Sequence, residues 1–530
     1  MIRYQTLLAA GVSTLALATT AAAQQALPQS SDSYFQAAAT ALQEQLAKQP
    51  IEGEAKNIIL FVGDGMSVAT VTAARIYEGQ KRSVDGESNN LVVDRFPFTA
   101  LAKTYSHDGQ VSDSAPTATA MVTGVKTRND VIGFDQTVAV GDCDGAIGHE
   151  VKTILEMAEE AGLSTGVVST ARITHATPAA MYSHVPNRDW EDDKSMADRG
   201  GTPGGACKDI ADQLVNWTAG DGFEIALGGG RNYFMPDTAA DPEDEGKMGR
   251  RADGRDLTTE WTSKGNNNVF VWNKEGFDGV DLASGAKILG LFEGSHMEYE
   301  ADRAKDKGGE PSIAEMTAAA IERRKQDEDG FVLMVEGGRI DHAHHAGNAA
   351  RALEDTVAFN AAIQTALDAT SREDTLIVVT ADHSHSFTIS GYPKRGNPIL
   401  DVVVNVDDEQ EKAADGKPYT TLGYMNGPGA LFPALPEGAT EAEAAGVRPD
   451  PSSEDTAAVD YLQQAAVPLA SETHAGDDVT IYAWGPFAHL FTGTVEQNYV
   501  YHVLAHASKI GERKSASVDQ PAAVKTATAN

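Results

Sequence analysis

Asn57-Ile58-Ile59-Leu60-Phe61-Val62-Gly63-Asp64-Gly65 is a short apolar run that stops on an aspartate between two glycines, and three later stretches repeat its plan. Thr165-Gly166-Val167-Val168-Ser169 follows a helical segment over 151–161. Phe331-Val332-Leu333-Met334-Val335 follows a helix over 313–325, and Thr375-Leu376-Ile377-Val378-Val379-Thr380 follows a helix over 349–369. Runs of Val, Ile and Leu without polar alternation, separated by helices, belong to strands buried on both faces of a parallel sheet. The fold is therefore read as α/β: a doubly wound, mostly parallel central sheet flanked by helices.

Around this core the chain carries other signals. Arg3 is the only charge ahead of a small and apolar run from Leu7 to Ala18, and Ala21-Ala22-Ala23 supplies an A-x-A cleavage site. Residues 1–23 are read as a signal peptide, too short for a bilayer span. The residue directly after the cleavage site is Gln24, not a cysteine. An exported protein without a membrane anchor, periplasmic or secreted, is expected. Within residues 24–50 an amphipathic helix over 31–48 places Tyr34, Phe35, Leu42 and Leu46 among polar residues. It is either an arm for a partner subunit or a helix packed on its own core. The catalytic domain is expected over 51–507. Two stretches break its alternation, 236–310 (rich in Asp, Glu, Gly and Lys) and 393–470 (rich in Pro, Gly and acidic residues), and both read as insertions. Residues 508–530 lack apolar periodicity and read as a mobile tail.

With 77 Asp and Glu against 42 Lys and Arg, the formal net charge is −35. That excludes nucleic acid as a partner, because a polyanion needs a basic face. It also repels anionic substrates, unless bound metal ions invert the local field. Cys143 and Cys207 are the only cysteines. In an exported chain such a pair is either a disulfide or two buried thiols.

Each of the four apolar runs leads into potential metal ligands: Asp64 after the first, His175 and Thr177 after the second, Glu336, Asp341 and His345 after the third, Asp382 and His383 after the fourth. Open α/β sheets bind ligands at the carboxyl ends of their strands. Taken singly, an aspartate after a strand is a helix cap, and Asp341 with His345 is an i,i+4 pair on one helical face. Four strand ends bringing Asp, Glu and His to one rim, with His474 downstream, is a different matter. Mixed Asp and His ligation suits zinc, and the oxygen-rich trio Asp64, Thr177 and Glu336 suits magnesium. In Asp113-Ser114-Ala115-Pro116-Thr117-Ala118 the proline marks a first helical turn, so Ser114 sits at a helix N-terminus. It is an N-cap or, beside a zinc ion that lowers its pKa, a nucleophile.

Asp113-Ser114-Ala-Pro-Thr-Ala-Thr-Ala120, Val335-Glu-Gly-Gly-Arg-Ile-Asp-His-Ala-His-His345, Thr380-Ala-Asp-His-Ser-His385 and Glu472-Thr-His-Ala-Gly476 closely resemble the alkaline phosphatases. The resemblance runs from about residue 55 to about residue 505 and is nearer to the animal enzymes than to the enteric bacterial form. It implies two zinc ions, one on Asp341, His345 and His474 and one on Asp64, Asp382 and His383. It implies a magnesium ion on Asp64, Thr177 and Glu336. Arg188, in Val185-Pro-Asn-Arg-Asp189, matches the arginine that grips the substrate phosphate, with Asp113 beside it. A fourth, calcium-like site would be built from Glu243, Glu293, Glu310 and the carbonyl of Phe292, with two residues inserted between Glu293 and Glu310. Cys143 and Cys207 match a disulfide, and 393–470 resembles the crown of a homodimer. His175 and His342 stand where the enteric form has Asp and Lys. Both would lie near the phosphate, and the third metal's identity stays open. Pro116 also departs from the family pattern, without consequence for Ser114.

What the resemblance implies is hydrolysis of small-molecule phosphate monoesters at alkaline pH through a phosphorylated Ser114, broad in substrate and serving phosphate acquisition. The alternative is a phosphodiesterase or sulfatase of the same superfamily, because a fold does not decide a substrate.

Overall fold

The run 58–62 is buried on both faces because it lies in the middle of the sheet. Strand β1 (Asn57–Gly63) pairs in parallel with both β7 (Phe331–Gly337) and β8 (Thr375–Thr380), and β7 pairs in parallel with β3 (Ser164–Arg172). A strand with neighbours on both sides and helices on both faces meets no water, which is why these segments carry no polar alternation. The computed structural model describes residues 27–324, 327, 329–430 and 450–513. The expected signal peptide lies outside the described residues.

The full sheet has ten strands. β2 is Phe98–Lys103, β4 Ile225–Gly229, β5 Asn268–Val271 and β6 Lys287–Leu291; β9 is Val479–Trp484 and β10 Thr494–Glu496. Their spatial order is β10-β2-β9-β8-β1-β7-β3-β4-β6-β5. Only β9 runs against its neighbours, β2 and β8. Helix Ala349–Ala369 covers one face, with the Phe359 ring edge-on to Phe61 at 5.7 Å between centroids.

Two boundaries differ from the sequence reading. Residues 236–310 are not wholly an insertion, because β5 and β6 inside them extend the central sheet beyond β4 in parallel. Their composition hid this: β5 is only four residues long at the sheet's edge and mostly half-buried, and Gly290 interrupts β6. Residues 508–513 are not tail either. Ser508 ends the helix Tyr499–Ser508, Ile510 is buried in a following turn, and Arg513 donates to Glu54; residues 514–530 lie outside the described set. Within 393–470, by contrast, the chain does leave the main sheet. Leu422–Gly427 pairs with Phe387–Ile389 and with Ala465–Pro468 in a separate three-stranded sheet.

The N-terminal helix, Ser33–Ala47, is capped by the Asp32 carboxylate, which accepts from the Tyr34 and Phe35 amides, and it buries none of its residues. No described helix is long and apolar enough to cross a membrane.

Cys143 and Cys207 form a disulfide across 64 residues of sequence. A covalent closure of that span restricts the unfolded chain. Reduction, or Cys143→Ser, is expected to lower the denaturant-unfolding free energy by about 2–4 kcal/mol. Unfolding followed with and without reductant checks it.

Candidate active site

The carboxyl ends of β1, β3, β7 and β8 meet on one rim, and three groups of potential ligand atoms collect there. Asp341, His345, His385 and His474 form one, Asp64, Asp382 and His383 a second, and Asp64, His175 and Glu336 a third; within each, the ligand atoms lie within 4.8 Å of one another. Both carboxylate oxygens of Asp64, Oδ2 of Asp382, Oε1 of Glu336 and Oγ1 of Thr177 are buried without any hydrogen-bond partner. Oxygens left so cost several kcal/mol each (~1–3 for a neutral group, more for a charged one) unless a cation takes them. Burial first, then the neighbouring carboxylates, raises Asp64; burial likewise raises Asp382 and holds Glu336 up at about 8. The hydrogen bond from Ser169 Oγ to Glu336 offsets only part of that. This donor set fits divalent cations, whose charge would reverse each of these shifts.

His345 and His474 are pre-oriented for the same purpose. His345 Nδ1 lies 2.6 Å from the carbonyl oxygen of Glu472 and His474 Nδ1 lies 2.8 Å from that of Ser112. Since a carbonyl only accepts, each Nδ1 carries the hydrogen, and each Nε2 is left with its lone pair. The two Nε2 atoms face each other at 3.0 Å, and both lie within 3.4 Å of Asp341 Oδ1.

His385 is the residue that sequence reasoning passed over. Its Nδ1 is 2.6 Å from Glu472 Oε2 and its Nε2 is 2.8 Å from Asp341 Oδ1. Both partners are acceptors, so both ring nitrogens carry hydrogen. Burial pulls its pKa down, but the bonds to Asp341 and Glu472 outweigh that and lift it to about 9. His385 therefore has no lone pair to offer and acts as a cationic tie between two carboxylates. The signal lay in Thr380-Ala-Asp-His-Ser-His385, but only the antiparallel bridge pairing His385 with His474 brings it into the site.

Ser114 opens the ten-residue helix Ser114–Thr123, with Asp113 as its cap. Its Oγ lies 3.1 Å from His383 Nε2. The Asp113 carboxylate accepts from the Ala115 amide at 2.8 Å, the Asp130 amide at 2.7 Å and Arg188 Nη1 at 2.9 Å. Arg188 is thus held beside the serine, and its Nη2 lies 3.2 Å from His175 Nε2. His175 belongs to a ring cluster with His342, 5.3 Å away, and His296, 5.4 Å away. His296 was not singled out from sequence.

A sequence profile of the alkaline phosphatases matches residues 55–510. The chain belongs to the alkaline phosphatase family. It is 44% identical over 483 residues to the tissue-nonspecific alkaline phosphatase of Gallus gallus, covering 89% of this chain and 88% of that protein. It is 42% identical over 468 residues to the alkaline phosphatase of Gadus morhua, covering 87% and 94%. The crystal structure of the Thermus thermophilus alkaline phosphatase shares the fold, with a TM-score of 0.60 at 24% identity over 89% of this chain and 94% of that one. As an alkaline phosphatase family member the chain is a metal-dependent phosphomonoester hydrolase, and the diesterase and sulfatase alternative is not favoured.

A fourth group of carboxylates lies apart from the rim, and here the structure corrects the sequence reading. Glu243 and Glu293 are joined by Asp306, not by Glu310. The Glu310 carboxylate turns away and accepts from the Glu298 amide at 3.1 Å. The Phe292 carbonyl accepts from Arg231 Nη1 at 3.1 Å. The resemblance assigned Glu310 across a stretch with two inserted residues, whereas the turn Arg303–Lys305 leads directly into Asp306, which joins the group.

Two outcomes follow for the rim. Gly65 has φ +65°, and a Cβ on it would overlap the His385 imidazole. Gly65→Ala is expected to cost roughly 2 kcal/mol or more, and to weaken retention of divalent metal in a chelator competition at the same time. In the metal-free protein, a carboxyl whose folded pKa exceeds its unfolded one favours folding only while protonated. Stability of the stripped protein is therefore expected to fall as pH rises from 4.5, the ordinary glutamate value, to about 8, where burial holds Glu336. Melting temperature against pH, with and without zinc and magnesium, checks it; the loaded protein is expected to show no such decline.

Proposed function

We propose that the chain hydrolyses phosphate monoesters through a covalent phosphoserine at Ser114. Asp341, His345 and His474 would hold one zinc ion, and Asp64, Asp382 and His383 the other. Asp64, Thr177 and Glu336 would hold a magnesium ion, with His175 beside it. A calcium ion would sit on Glu243, Glu293 and Asp306, with Asp306 in the place that the resemblance to the animal enzymes gave to Glu310. Bound, the zinc ions supply Lewis acidity to the entering serine oxygen and the leaving ester oxygen, as two-metal sites do.

The protein's own groups do the rest. Arg188 binds two oxygens of the phosphate through its guanidinium fork, and Asp113 holds that fork in place. His342 and His175 line the approach beside it. Ser114 Oγ attacks phosphorus in line as its proton passes to solvent, and the bond to the ester oxygen breaks, the departing oxygen taking a proton from water. Water then cleaves the phosphoserine from the opposite side and regenerates the hydroxyl. Alkaline conditions favour the deprotonated ligands that a loaded site needs. The observation that carries this reading is the contact between Ser114 Oγ and His383 Nε2, at a helix N-terminus and beside buried carboxylate oxygens that have no partner.

The protein works as an exported homodimer, in the periplasm or the medium, that releases phosphate from many esters. Residues 1–23, read as a signal peptide, and the exposed apolar side chains Tyr34, Leu42 and Leu46 support that reading.

Ser114→Ala is expected to lower kcat on nitrophenyl phosphate at least about a hundredfold, ~2.7 kcal/mol of barrier, with zinc content unchanged. Activity within about tenfold of wild type would mean hydrolysis without a serine intermediate. The wild-type enzyme is expected to lose turnover to a chelator, regain it with zinc and magnesium, and prefer nitrophenyl phosphate to bis-nitrophenyl phosphate and nitrophenyl sulfate.

A further inference from the structure

Arginines near the rim are paired with carboxylates, with one exception. Arg172 makes a two-pronged bridge to Glu191, Arg188 bonds Asp113, and Arg351 bonds Asp302 and Asp460. Among the described residues Arg339 has no carboxylate within ion-pair distance. Its guanidinium lies over the Tyr299 ring at 3.7 Å, Nη1 lies 3.2 Å from His342 Nδ1, and Nε is buried without a partner. Asp355 is near enough to feel its charge, but burial pushes that carboxyl up to about 8, so at neutral pH it offsets little. In a chain with 77 acidic side chains and 42 basic ones, a partly buried guanidinium without a counter-ion stands out. Holding one so costs free energy that a bound anion returns.

Its surroundings are mixed in charge. Arg339, Arg351, Lys305 and Lys307 line one cavity of about 520 Å³, together with Tyr299. Six carboxylates line it as well, the cluster of Glu243, Glu293 and Asp306 already described together with Asp244, Glu298 and Asp302, so the anion's place is on the side of Arg339 that faces His342 and His296. From Arg339 a continuous path leads to the phosphate-gripping arginine. His342 is 5.3 Å from His175 between ring centroids, and His175 Nε2 is 3.2 Å from Arg188 Nη2. His296 packs on His342 at 4.0 Å between centroids. Two imidazole rings thus separate the two guanidinium groups.

We propose that Arg339, with His342 and His296 beside it, forms a second anion subsite that takes the remote phosphate of a bisphosphorylated substrate while Arg188 holds the scissile one. A guanidinium stacked on an aromatic ring keeps its fork open for two phosphate oxygens. The proposal rests on the phosphomonoesterase reading above.

The test compares fructose 1,6-bisphosphate with fructose 6-phosphate on the metal-loaded enzyme at fixed ionic strength, as the ratio of their kcat/KM values. Arg339→Ala is expected to lower that ratio by about ten- to a hundredfold, mainly through KM of the bisphosphate. Arg339→Lys, which keeps charge but not the fork, is expected to fall between the two. Pyrophosphate, whose phosphorus atoms share one oxygen, is too short to span both groups, and its ratio to the monoester is expected to stay the same across the variants. A bisphosphate ratio within twofold of wild type in Arg339→Ala overturns the subsite, as does an equal fall in both kcat/KM values. A pyrophosphate ratio that drops as far as the bisphosphate ratio overturns the spacing. If Arg339→Ala cannot be purified, an unchanged ratio in Arg339→Lys and Arg339→Gln counts against the subsite in the same way. Wild-type enzyme that turns over neither fructose ester would instead overturn the phosphomonoesterase reading.

Discussion

Negative charge gathered in a dry place is the constraint on which this molecule turns. Asp64, Glu336, Asp341 and Asp382 are buried at the ends of three adjacent strands, and several of their oxygens have no hydrogen-bond donor. Nothing in ordinary packing tolerates that arrangement, since a buried unpaired carboxylate is among the costlier things a fold can contain. The parallel sheet makes it possible by holding the strand ends rigidly. The remaining parts of the site answer the same charge: His385 ties Asp341 to Glu472, carbonyl oxygens fix the tautomers of His345 and His474, and Arg188 braces Asp113 next to the serine.

How much of this could be read from sequence followed from burial. β1, β7 and β8 sit where both faces are covered, and their uninterrupted apolar runs made them plain. The helix Ala349–Ala369 was legible to its ends because its buried residues keep a helical period. At the sheet's far edge the signal faded. β5 is half-exposed, so its residues answer to solvent as much as to the core. Acidic residues that follow a buried strand closely, such as Asp64 and Asp382, could be placed on the rim for the same reason as the strands.

Residues placed by loops were harder to read. Asp306 replaces Glu310 in the carboxylate group because a turn, not a strand, sets the path between Glu293 and Pro311. His385 and Glu472 lie 87 residues apart in the chain and meet through one short bridge, a contact that no local pattern encodes. Arg339 stood in the most recognisable motif of the chain, yet its lack of a counter-ion is a property of the folded surroundings alone.

The bridge between His385 and His474, continued by Ser384 opposite Ala475, has a consequence for how this chain can change. It is a clasp: the chain leaves the rim just after His385 and returns just before His474, and the segment between is tied back at further points, among them Tyr424 to His344, Asp460 to Arg351 and Glu472 to His385. Lengthening a loop whose ends are pinned costs only logarithmically in closure entropy, about 0.6 kcal/mol per doubling. The lengths of chain between these ties can thus be extended or trimmed while the rim keeps its geometry, and the tied residues are where change is costly.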